Sequence, residues 1–328
     1  MSSESFTKYN LKYIPKPFGL RNIGSNCYLN SLLQSLLSCS SIAETLIKNK
    51  DDYFYKKNKM AQDYISVVET FQKDIDNTLR TLSESSIKIL ISMLKFVSKK
   101  KDREIFSGGQ QCARESLYLL LDMMENLYDI HQLFTHRTES KLLCSKCNIW
   151  SDAIKDTQII FDVQADLKIE QLDLFSKIDP NYNKSMDMND FLNNHNGYVD
   201  DNHKCFSCKE KCEKYKTTQL VMIPEILVVL SKKYSPDGRK KINIMTEFPK
   251  ELIFNGLPEN ESNKPEDAVK IKYEAVAQIE HSGSLNGGHY WAVCKRNDNE
   301  WYNINDENFT KSNFQPTSNT YIVFYHVM

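Results

Sequence analysis

The sequence has almost no net charge, because 42 Lys and Arg residues stand against 43 Asp and Glu residues. Nothing in this balance steers the chain towards nucleic acid or an acidic membrane, so neither partner is expected. The first residues, Met-Ser-Ser-Glu-Ser-Phe-Thr-Lys, lack the apolar core of a secretory signal peptide. No apolar run approaches membrane-spanning length, and the densest one, Ile226–Leu230, fits a buried strand.

These absences favour a soluble protein of the cytoplasm, with the nucleus as an alternative. In a reducing compartment the nine cysteines are expected to be free thiols, so a pattern among them suggests metal binding or catalysis. The 328 residues allow one large domain or two to three small ones. Because we find no repeats and no long linker, we expect one compact unit with a cysteine-bearing insertion.

The pattern of apolar residues changes near Lys141. Before it, helical spacing predicts several helices, among them Ile87–Val97 and a helix from about Gln110 to Tyr128, after a loose polar lead-in at residues 1–16. After it come an Asn- and Asp-rich stretch at 179–204 and a series of strand-like segments: Ile149–Val163, Val221–Leu230, Ile242–Phe248, Ile271–Ile279, Tyr290–Val293, Trp301–Ile304 and Tyr321–Val327. The fold class is therefore expected to be α+β.

Cys27 stands at the predicted start of a helix. Gly24, Ser25 and Asn26 indicate a turn and a cap, and leucines then recur at helical spacing. The N-terminal end of a helix favours the thiolate, which is the form of cysteine that attacks carbonyl carbons. Asn22 could direct its side-chain amide to the same place, as an oxyanion-hole donor would. The alternative is a buried cysteine that caps a core helix.

His289 is the candidate base. Gly287 and Gly288 give a bare backbone before it, so that a substrate can approach closely. The next predicted strand ends at Asn305 and Asp306, and a hairpin of that length can set one of them beside His289. A nucleophilic cysteine needs a base within hydrogen-bond reach, and the base needs a third group that holds its tautomer. Taken alone, His289 would be an ordinary strand histidine.

Two Cys-x-x-Cys pairs carry the metal hypothesis. Cys144 with Cys147 and Cys205 with Cys208 can each offer two thiolates, which together form the tetrahedral sulfur set that zinc prefers. Four thiolates leave no open position for water, so this zinc would be structural and no catalytic cofactor is expected. A redox pair or chance are the alternatives, and Cys212 is a spare thiol that could complicate the ligand assignment.

Two segments near the chain ends resemble the signature boxes of the ubiquitin-specific proteases. Gly19-Leu-x-Asn-x-Gly-x-x-Cys-Tyr-Leu-Asn-Ser-x-Leu-Gln is similar to the cysteine box, and Gly288-His-Tyr with Trp301-Tyr and Asn305-Asp306 is similar to the histidine box. Between them, Gln110–Leu117 is similar to the family's Gln-Gln-Asp-Ala-x-Glu-Phe-Leu helix. The Cys-x-x-Cys pairs fall where the family's zinc-bearing fingers lie, and the likeness covers about Pro17 to Val327.

The resemblance implies a papain-like cysteine protease with a helical thumb, a β-rich palm and zinc-bearing β fingers. After the lead-in, residues 17–328 would form one catalytic domain with its thumb at about 17–135, fingers at about 136–222 and palm at about 223–328. Ubiquitin would be gripped by the fingers, and its tail would lie between thumb and palm. Substrate contacts would come from Gln111, Cys112, Gly287, Gly288 and Tyr290.

The family's catalytic roles carry over to this chain residue by residue. Cys27 would be the nucleophile, His289 the base and Asn305 the residue that orients the base. Asn22 would form the oxyanion hole, and the adjacent Asp306 could assist. The expected activity is hydrolysis of the peptide or isopeptide bond after the C-terminal glycine of ubiquitin. The expected partners are ubiquitin and ubiquitinated proteins, with the chain itself a monomer.

Two alternatives remain open at the level of sequence. One is the same chemistry on another ubiquitin-like modifier, since Cys112 replaces an aspartate that meets the basic ubiquitin tail in the family. Ser116, which replaces an aromatic residue, adds to this difference. The other is a zinc-containing module that binds ubiquitin without cleaving it. The intact set of Cys27, His289 and Asn305 argues against a pure binding module.

Overall fold

The structure is a computed structural model that describes residues 8–72, 111–124, 126–164, 198–200, 204–212, 214–233, 245–256, 269–284 and 287–328. The predicted helix Ile87–Val97, Gln110 and most of the stretch 179–204 lie outside these residues. Within the described ranges, no helix is long and apolar enough to cross a membrane.

Helices make up most of the described residues before His136. A 3-10 helix at Leu11–Tyr13 is followed by α1 (Cys27–Leu36), α2 (Ser40–Lys48), α3 (Tyr53–Lys57), α4 (Lys59–Gln72), α5 (Ala113–Met123) and α6 (Tyr128–Phe134). The predicted helix start at Cys27 is confirmed. The helix predicted from about Gln110 to Tyr128 is present as α5 but ends earlier, at Met123, where a turn closed by the Leu127 N–H and the Met124 carbonyl (2.8 Å) separates it from α6. The apolar periodicity continues through this turn because Leu127 is itself buried.

Twelve strands in the described residues form two sheets. They are β1 (His136–Cys144), β2 (Ile154–Gln158), β3 (Phe161–Gln164), β4 (Tyr198–Asp200), β5 (Lys214–Met222), β6 (Ile226–Lys232), β7 (Glu251–Gly256), β8 (Val269–Ser284), β9 (Gly287–Lys295), β10 (Trp301–Asn305), β11 (Asn308–Ser312) and β12 (Thr320–Val327). The smaller sheet has the order β2-β1-β5-β4. The larger one runs β11-β10-β9-β8-β12-β6-β3, with β7 paired to β8.

The larger sheet is buried on both faces at its centre. In the antiparallel pair β6–β12, Val228 and Phe324 point into the core shared with the helices, whereas Val229 and Val323 point into a second apolar cluster on the other face. A strand covered on both sides needs an unbroken apolar run rather than an alternating one. Helix α1 packs against β8, β9 and β10, which places its N-terminus beside the C-terminal strands.

Several predicted strands are divided or absent. The segment Ile149–Val163 is two strands in different sheets, because β2 pairs with β1 whereas β3 runs parallel to β6. The segment Val221–Leu230 is interrupted between β5 and β6, where Pro224 cannot donate to a ladder. The described part of Ile242–Phe248, residues 245–248, contains no strand. The remaining predicted segments, Ile271–Ile279, Tyr290–Val293, Trp301–Ile304 and Tyr321–Val327, lie within β8, β9, β10 and β12.

Residues 8–16 are not a loose lead-in, contrary to the prediction. The Asn10 side chain caps the 3-10 helix by accepting from the Lys12 N–H at 3.1 Å, and the Asn10 N–H donates to Ser40 Oγ at 3.0 Å. Ile14 is 1 % exposed. Tyr9 and Tyr13 pack against the helical core as well, so several aromatic and apolar side chains dock this segment.

Candidate active site

Cys27 follows a tight turn. Gly24 and Ser25 both have positive φ values, 113° and 52°, and a Cβ on Gly24 would meet nothing within 4 Å. Glycine is therefore favoured there by backbone conformation rather than by space. Cys27 is the first residue of α1 and is 4 % exposed. The positive end of the helix dipole therefore lies beside this residue.

His289 lies on β9 and meets the end of β10. Its Nε2 is 2.6 Å from Oδ1 of Asn305, and its ring stacks near Trp291 with centroids 6.2 Å apart. Because a side-chain carbonyl oxygen can only accept, this contact assigns the ring hydrogen to Nε2 and leaves the lone pair on Nδ1. That tautomer is the one a base needs if Nδ1 takes the proton of the nucleophile. The role of Asn305 itself remains a prediction.

Asp306 meets a different part of the chain from its neighbour Asn305. Its Oδ1 accepts from Asn30 Nδ2 at 2.8 Å, its Oδ2 accepts from Asn22 Nδ2 at 3.0 Å, and its backbone carbonyl accepts from the Leu20 N–H at 2.7 Å. Next to this contact, a Cβ on Gly19 would lie 2.1 Å from the backbone oxygen of Glu307. The glycine therefore permits the close approach of the two segments.

Asn22 is held on both sides of its amide. Its Oδ1 accepts from the Gly24 N–H at 3.1 Å, while Nδ2 donates to Asp306. An amide nitrogen carries two hydrogens, and the bond to Asp306 uses one of them. The side chain is thus oriented before a substrate arrives, as an oxyanion donor should be. Its role in the oxyanion hole stays a prediction.

Two asparagines that the sequence reasoning did not assign to the site support it from within. Asn26, 1 % exposed, accepts from the Ile23 N–H at 2.7 Å and donates to Asn30 Oδ1 at 3.0 Å, so its side chain does not cap α1 as predicted. Asn30 is 2 % exposed, and its Nδ2 donates hydrogen bonds to Asp306 and to the Leu20 carbonyl. The available signal was a series of amides at i, i+4 and i+8, namely Asn26, Asn30 and Gln34, among the leucines of the helix.

The residues predicted to contact substrate lie in two places. Cys112 is the N-cap of α5 rather than a residue within the helix, and its Sγ lies 3.3 Å from Oη of Tyr321. Tyr290 lies with its ring centroid 6.4 Å from that of Tyr321 and 4.3 Å from that of His281, on which it stacks. Burial raises the pKa of Tyr321, which keeps its hydroxyl neutral. Gln111, half-buried, precedes this cap.

Gly287 and Gly288 open β9 opposite the end of β8. A Cβ on Gly288 would lie 2.3 Å from the Ser282 carbonyl oxygen and 2.5 Å from Nε2 of His281. Gly283, which pairs with Gly288 across the hairpin, has a φ of 123° and equally little room. The glycines therefore let the two strands of the hairpin approach closely just before His289.

The four predicted metal ligands come together. The sulfur atoms of Cys144, Cys147, Cys205 and Cys208 all lie within 4.8 Å of one another. The sulfur of Cys144 lies 3.8 Å from that of Cys208, and the sulfur of Cys147 lies 3.8 Å from that of Cys205. Zinc–sulfur bonds of about 2.3 Å in a tetrahedron put the sulfurs about 3.8 Å apart, so the set fits a structural zinc ion.

The two Cys-x-x-Cys turns have the same backbone design. After the second cysteine of each pair, Asn148 and Lys209 take positive φ values of 55° and 62°. Their N–H groups donate to the carbonyls of Cys144 (2.9 Å) and Cys205 (3.0 Å). Hydrogen bonds from the backbone of each turn lower the pKa of the Cys144 and Cys205 thiols, whereas burial raises the pKa of the Cys147 thiol to about 12. When bound, zinc would cross-link these two turns.

Comparisons with known proteins agree with this architecture. One similar solved structure is the SAGA DUB module, a complex of a Ubp8 variant with Sgf11, Sus1 and Sgf73 that is bound to monoubiquitin. It superposes with a TM-score of 0.68 at 19 % identity, covering 100 % of this chain and 72 % of that one. A second, of the Ubp8 module bound to ubiquitin aldehyde, gives a TM-score of 0.69 at 19 % identity over 97 % of this chain and 71 % of that one. The predicted α+β fold class is confirmed, and the four-cysteine cluster fits the predicted zinc-bearing fingers.

Curated relatives match nearly the whole chain. "Ubiquitin carboxyl-terminal hydrolase 36" of Drosophila ananassae is 25 % identical over 94 % of this chain and 28 % of its own length. "Ubiquitin carboxyl-terminal hydrolase 8" of Saccharomyces cerevisiae is 22 % identical over 94 % of this chain and 70 % of its length. The human "Ubiquitin carboxyl-terminal hydrolase 2" is 25 % identical over 94 % of this chain and 55 % of its length. The chain thus spans only part of each relative.

A family model described as "Ubiquitin carboxyl-terminal hydrolase" matches residues 18–325, from the turn before Cys27 through the strands that carry His289 and Asn305. The matched residues include Cys27, His289 and Asn305, and also the cysteine cluster that lies between them in the sequence. The chain therefore belongs to the ubiquitin carboxyl-terminal hydrolase family.

Proposed function

We propose that this chain is a cysteine-type deubiquitinase that hydrolyses the peptide or isopeptide bond after the C-terminal glycine of ubiquitin. The observation that carries the proposal is the 2.6 Å contact of His289 with Asn305, on strands packed against the helix that begins at Cys27. Two structural neighbours were solved bound to monoubiquitin and to ubiquitin aldehyde, which supports ubiquitin as the substrate.

The residues divide the chemistry as follows. His289 Nδ1 takes the proton of Cys27, and the thiolate attacks the carbonyl carbon of the terminal glycine. The resulting oxyanion accepts a hydrogen bond from Asn22, while Asn305 holds the Nε2–H of the imidazolium. His289 then gives its proton to the departing lysine amine, which leaves a thioester on Cys27. His289 then takes a proton from water as the water oxygen attacks this thioester, the C–S bond breaks, and His289 returns that proton to the Cys27 sulfur. The released terminal carboxyl group of ubiquitin loses its remaining proton to solvent.

The cysteine cluster supports one structural zinc ion per chain, held by Cys144, Cys147, Cys205 and Cys208. Four thiolates complete a tetrahedron, so the ion would join the two turns and take no part in the hydrolysis. The reaction proposed above needs no catalytic cofactor. We also propose that the chain divides into thumb, fingers and palm at about residues 135 and 222. Strand β3 lies within the residues assigned to the fingers, but it pairs with β6 of the larger sheet.

Ubiquitin and ubiquitinated proteins are the proposed partners, and the proposed location is the cytoplasm or the nucleus. We also propose that the chain is a monomer, unlike the structural neighbour in which Ubp8 is assembled with three further subunits, Sgf11, Sus1 and Sgf73. Light scattering of the purified chain tests the monomer, and imaging of a fluorescent fusion tests the location. A scattering mass of twice the chain mass would contradict the monomer.

A ubiquitin molecule with an electrophilic vinyl sulfone at its C-terminus tests the activity directly. We expect one covalent adduct, mapped by mass spectrometry to Cys27, which Cys27→Ala lacks and Cys39→Ser retains. Labelling only by probes of other ubiquitin-like modifiers would favour the alternative substrate, for which the neutral side chain at Cys112 is the specific observation. Binding of ubiquitin without any adduct would favour a non-catalytic module and contradict the proposal.

A further inference from the structure

A fifth thiol lies against the four-cysteine cluster. The sulfur of Cys212 is 3.1 Å from the sulfur of Cys144, and the residue is 8 % exposed. This separation is shorter than the roughly 3.8 Å edge of a zinc–sulfur tetrahedron and longer than a disulfide bond of about 2.05 Å. Cys212 therefore does not extend the tetrahedron beside Cys144, yet its sulfur needs to move only about 1 Å to bond with it.

The backbone holds Cys212 in this position. The Cys205 N–H donates to the Glu210 carbonyl at 2.8 Å, and Lys204 pairs with Lys211, which closes the second turn just before Cys212. Cys144 is itself paired with Lys214 in the β1–β5 ladder. The Cys212 thiol also donates to the Glu210 carbonyl oxygen at 3.7 Å. The approach of the two sulfurs thus comes from the hairpin and not from one mobile side chain.

We propose that Cys144 and Cys212 are an oxidation site, where a two-electron oxidant of the peroxide class joins the two sulfurs in a reversible disulfide. The Cys144 thiolate attacks one peroxide oxygen, the O–O bond breaks, and hydroxide leaves to give a sulfenic acid. The Cys212 thiol then attacks that sulfur, an S–S bond forms, and water leaves with the thiol proton. The two sulfurs lose two electrons in total, and the peroxide gains them.

The disulfide changes the fingers because it withdraws one member of the four-thiol set. Cys147, Cys205 and Cys208 alone no longer complete the tetrahedron that a structural zinc ion requires. Metal affinity falls, and the cross-link between the two turns is weakened. A dithiol reductant restores the Cys144 thiolate and with it the site. This step rests on the proposed metal site, whereas the pairing of the two sulfurs does not.

The experiment uses the zinc-loaded full chain with Cys27→Ala, so that the nucleophile does not consume oxidant. Hydrogen peroxide is added in limiting amount, zinc release is followed with a chromogenic chelator, and peptide mapping locates any disulfide. We expect a Cys144–Cys212 disulfide, the release of one zinc ion for each disulfide formed, and reduction of that disulfide by dithiothreitol. Adding Cys212→Ser should abolish the link and slow the release at least about tenfold. Adding Cys39→Ser, which removes a buried thiol of the helical core, should change neither.

Melting temperatures of Cys212→Ser and of a second variant, Cys212→Ala, show that the comparison is made on folded protein. Equal zinc release with and without Cys212, or a link that joins Cys144 to Cys147, overturns the proposal. If the purified chain holds no zinc, the metal site fails but peptide mapping still decides: the Cys144–Cys212 link supports the oxidation site, and its absence overturns it.

Discussion

The carboxylate of Asp306 accepts a hydrogen bond from the side-chain amide of Asn22 at 3.0 Å, although the two residues lie 284 positions apart in the sequence. The other carboxylate oxygen accepts from Asn30, on the helix that begins at Cys27. A positive φ of 49° turns Asp306 away from His289, a conformation that aspartate adopts more readily than most residues. Asn305 therefore faces the base, and Asp306 holds the loop that carries Asn22.

The first prediction separates these two neighbours. His289→Ala should lower kcat by on the order of a thousandfold or more, because it removes the base. Asn305→Ala should cost less, since the imidazole keeps its chemistry and loses only its orienting partner. Asp306→Ala should lower kcat through a mobile Asn22 and should also lower the melting temperature through Asn30. Steady-state kinetics and calorimetry on the three variants measure these effects.

The control for this series is Glu307→Gln, at the next residue. Glu307 is half-exposed and meets only Arg21 at 3.6 Å among the ion pairs described, so its neutralisation should leave kinetics and stability nearly unchanged. If Asp306→Ala has the same kcat and melting temperature as the parent, the hydrogen bond between Asp306 and Asn22 has no functional role. A loss in Asp306→Ala greater than in Asn305→Ala would move the third catalytic role to Asp306.

Cys27→Ala should abolish hydrolysis of a ubiquitin fluorogenic substrate while it preserves ubiquitin binding, because the nucleophile is lost and the surfaces that hold ubiquitin are unchanged. Loss of a covalent step should lower kcat by several orders of magnitude. Initial rates and titration calorimetry provide the two measurements. Residual turnover within about tenfold of the parent would reject Cys27 as the nucleophile.

Cys112→Asp should act at two levels. As the N-cap of α5, Cys112 has extended backbone angles but makes no capping bond from its side chain, so aspartate should stabilise the helix by about 1 kcal/mol. A carboxylate there should also attract the basic ubiquitin tail and lower KM by about tenfold or more, with kcat changing less. Melting temperature and KM for a C-terminal fluorogenic ubiquitin are the measurements.

Cys112→Asn is the matched control, because asparagine caps a helix as well as aspartate does but carries no charge. It should raise the melting temperature and leave KM unchanged. If both variants lower KM alike, the effect comes from the cap and not from charge. An unchanged KM in well-folded Cys112→Asp would contradict the contact with the tail.

Metal analysis should find one zinc ion per chain. Cys208→Ser should lose it and lower the melting temperature, because three thiols do not complete the site, whereas Cys212→Ser should retain it. Elemental analysis of the purified variants measures the content directly. Less than about a tenth of an equivalent in the parent would refute the site, and retention in Cys208→Ser with loss in Cys212→Ser would exchange the two ligands.

Stability should fall as the pH decreases from about 6.5 towards 4. Burial lowers the pKa of His326 to about 4, and its Nε2 accepts from Ser41 Oγ at 2.6 Å while Nδ1 donates to the Val327 carbonyl. Below its ordinary pKa of 6.5, the unfolded chain binds a proton at this residue that the folded chain does not, so protonation favours unfolding. Above pH 6.5, His326 does not make the stability depend on pH.

Urea unfolding of the parent and of His326→Gln across this pH range measures the effect. The variant should show a shallower slope but keep part of it, because burial also lowers the pKa of His136 to about 4. Equal slopes in the two proteins would mean that His326 is not the group that titrates. A steeper slope in the variant would contradict the sign of the expected shift.

Local signals in the sequence were sufficient for much of the site. The turn before Cys27 and the leucine spacing after it depend on neighbouring residues alone, and so do the two Cys-x-x-Cys turns. The strand pattern before Asn305 likewise follows from nearby residues. The local pattern failed where apolar residues run through a turn, as at Leu127, or where aromatic and apolar side chains dock a short segment, as at Tyr9, Tyr13 and Ile14.

The sequence by itself determined the chemical groups and the elements that carry them: a thiol at a helix start, a histidine on a strand and four cysteines in two tight turns. Only the tertiary structure decided which of two adjacent residues faces His289, because the backbone turns by a positive φ between Asn305 and Asp306. It also decided that Asn22 and Asn30 meet Asp306, and that Cys212 meets Cys144. These contacts join residues far apart in the chain, and their geometry follows from sheet register and helix packing rather than from any local preference.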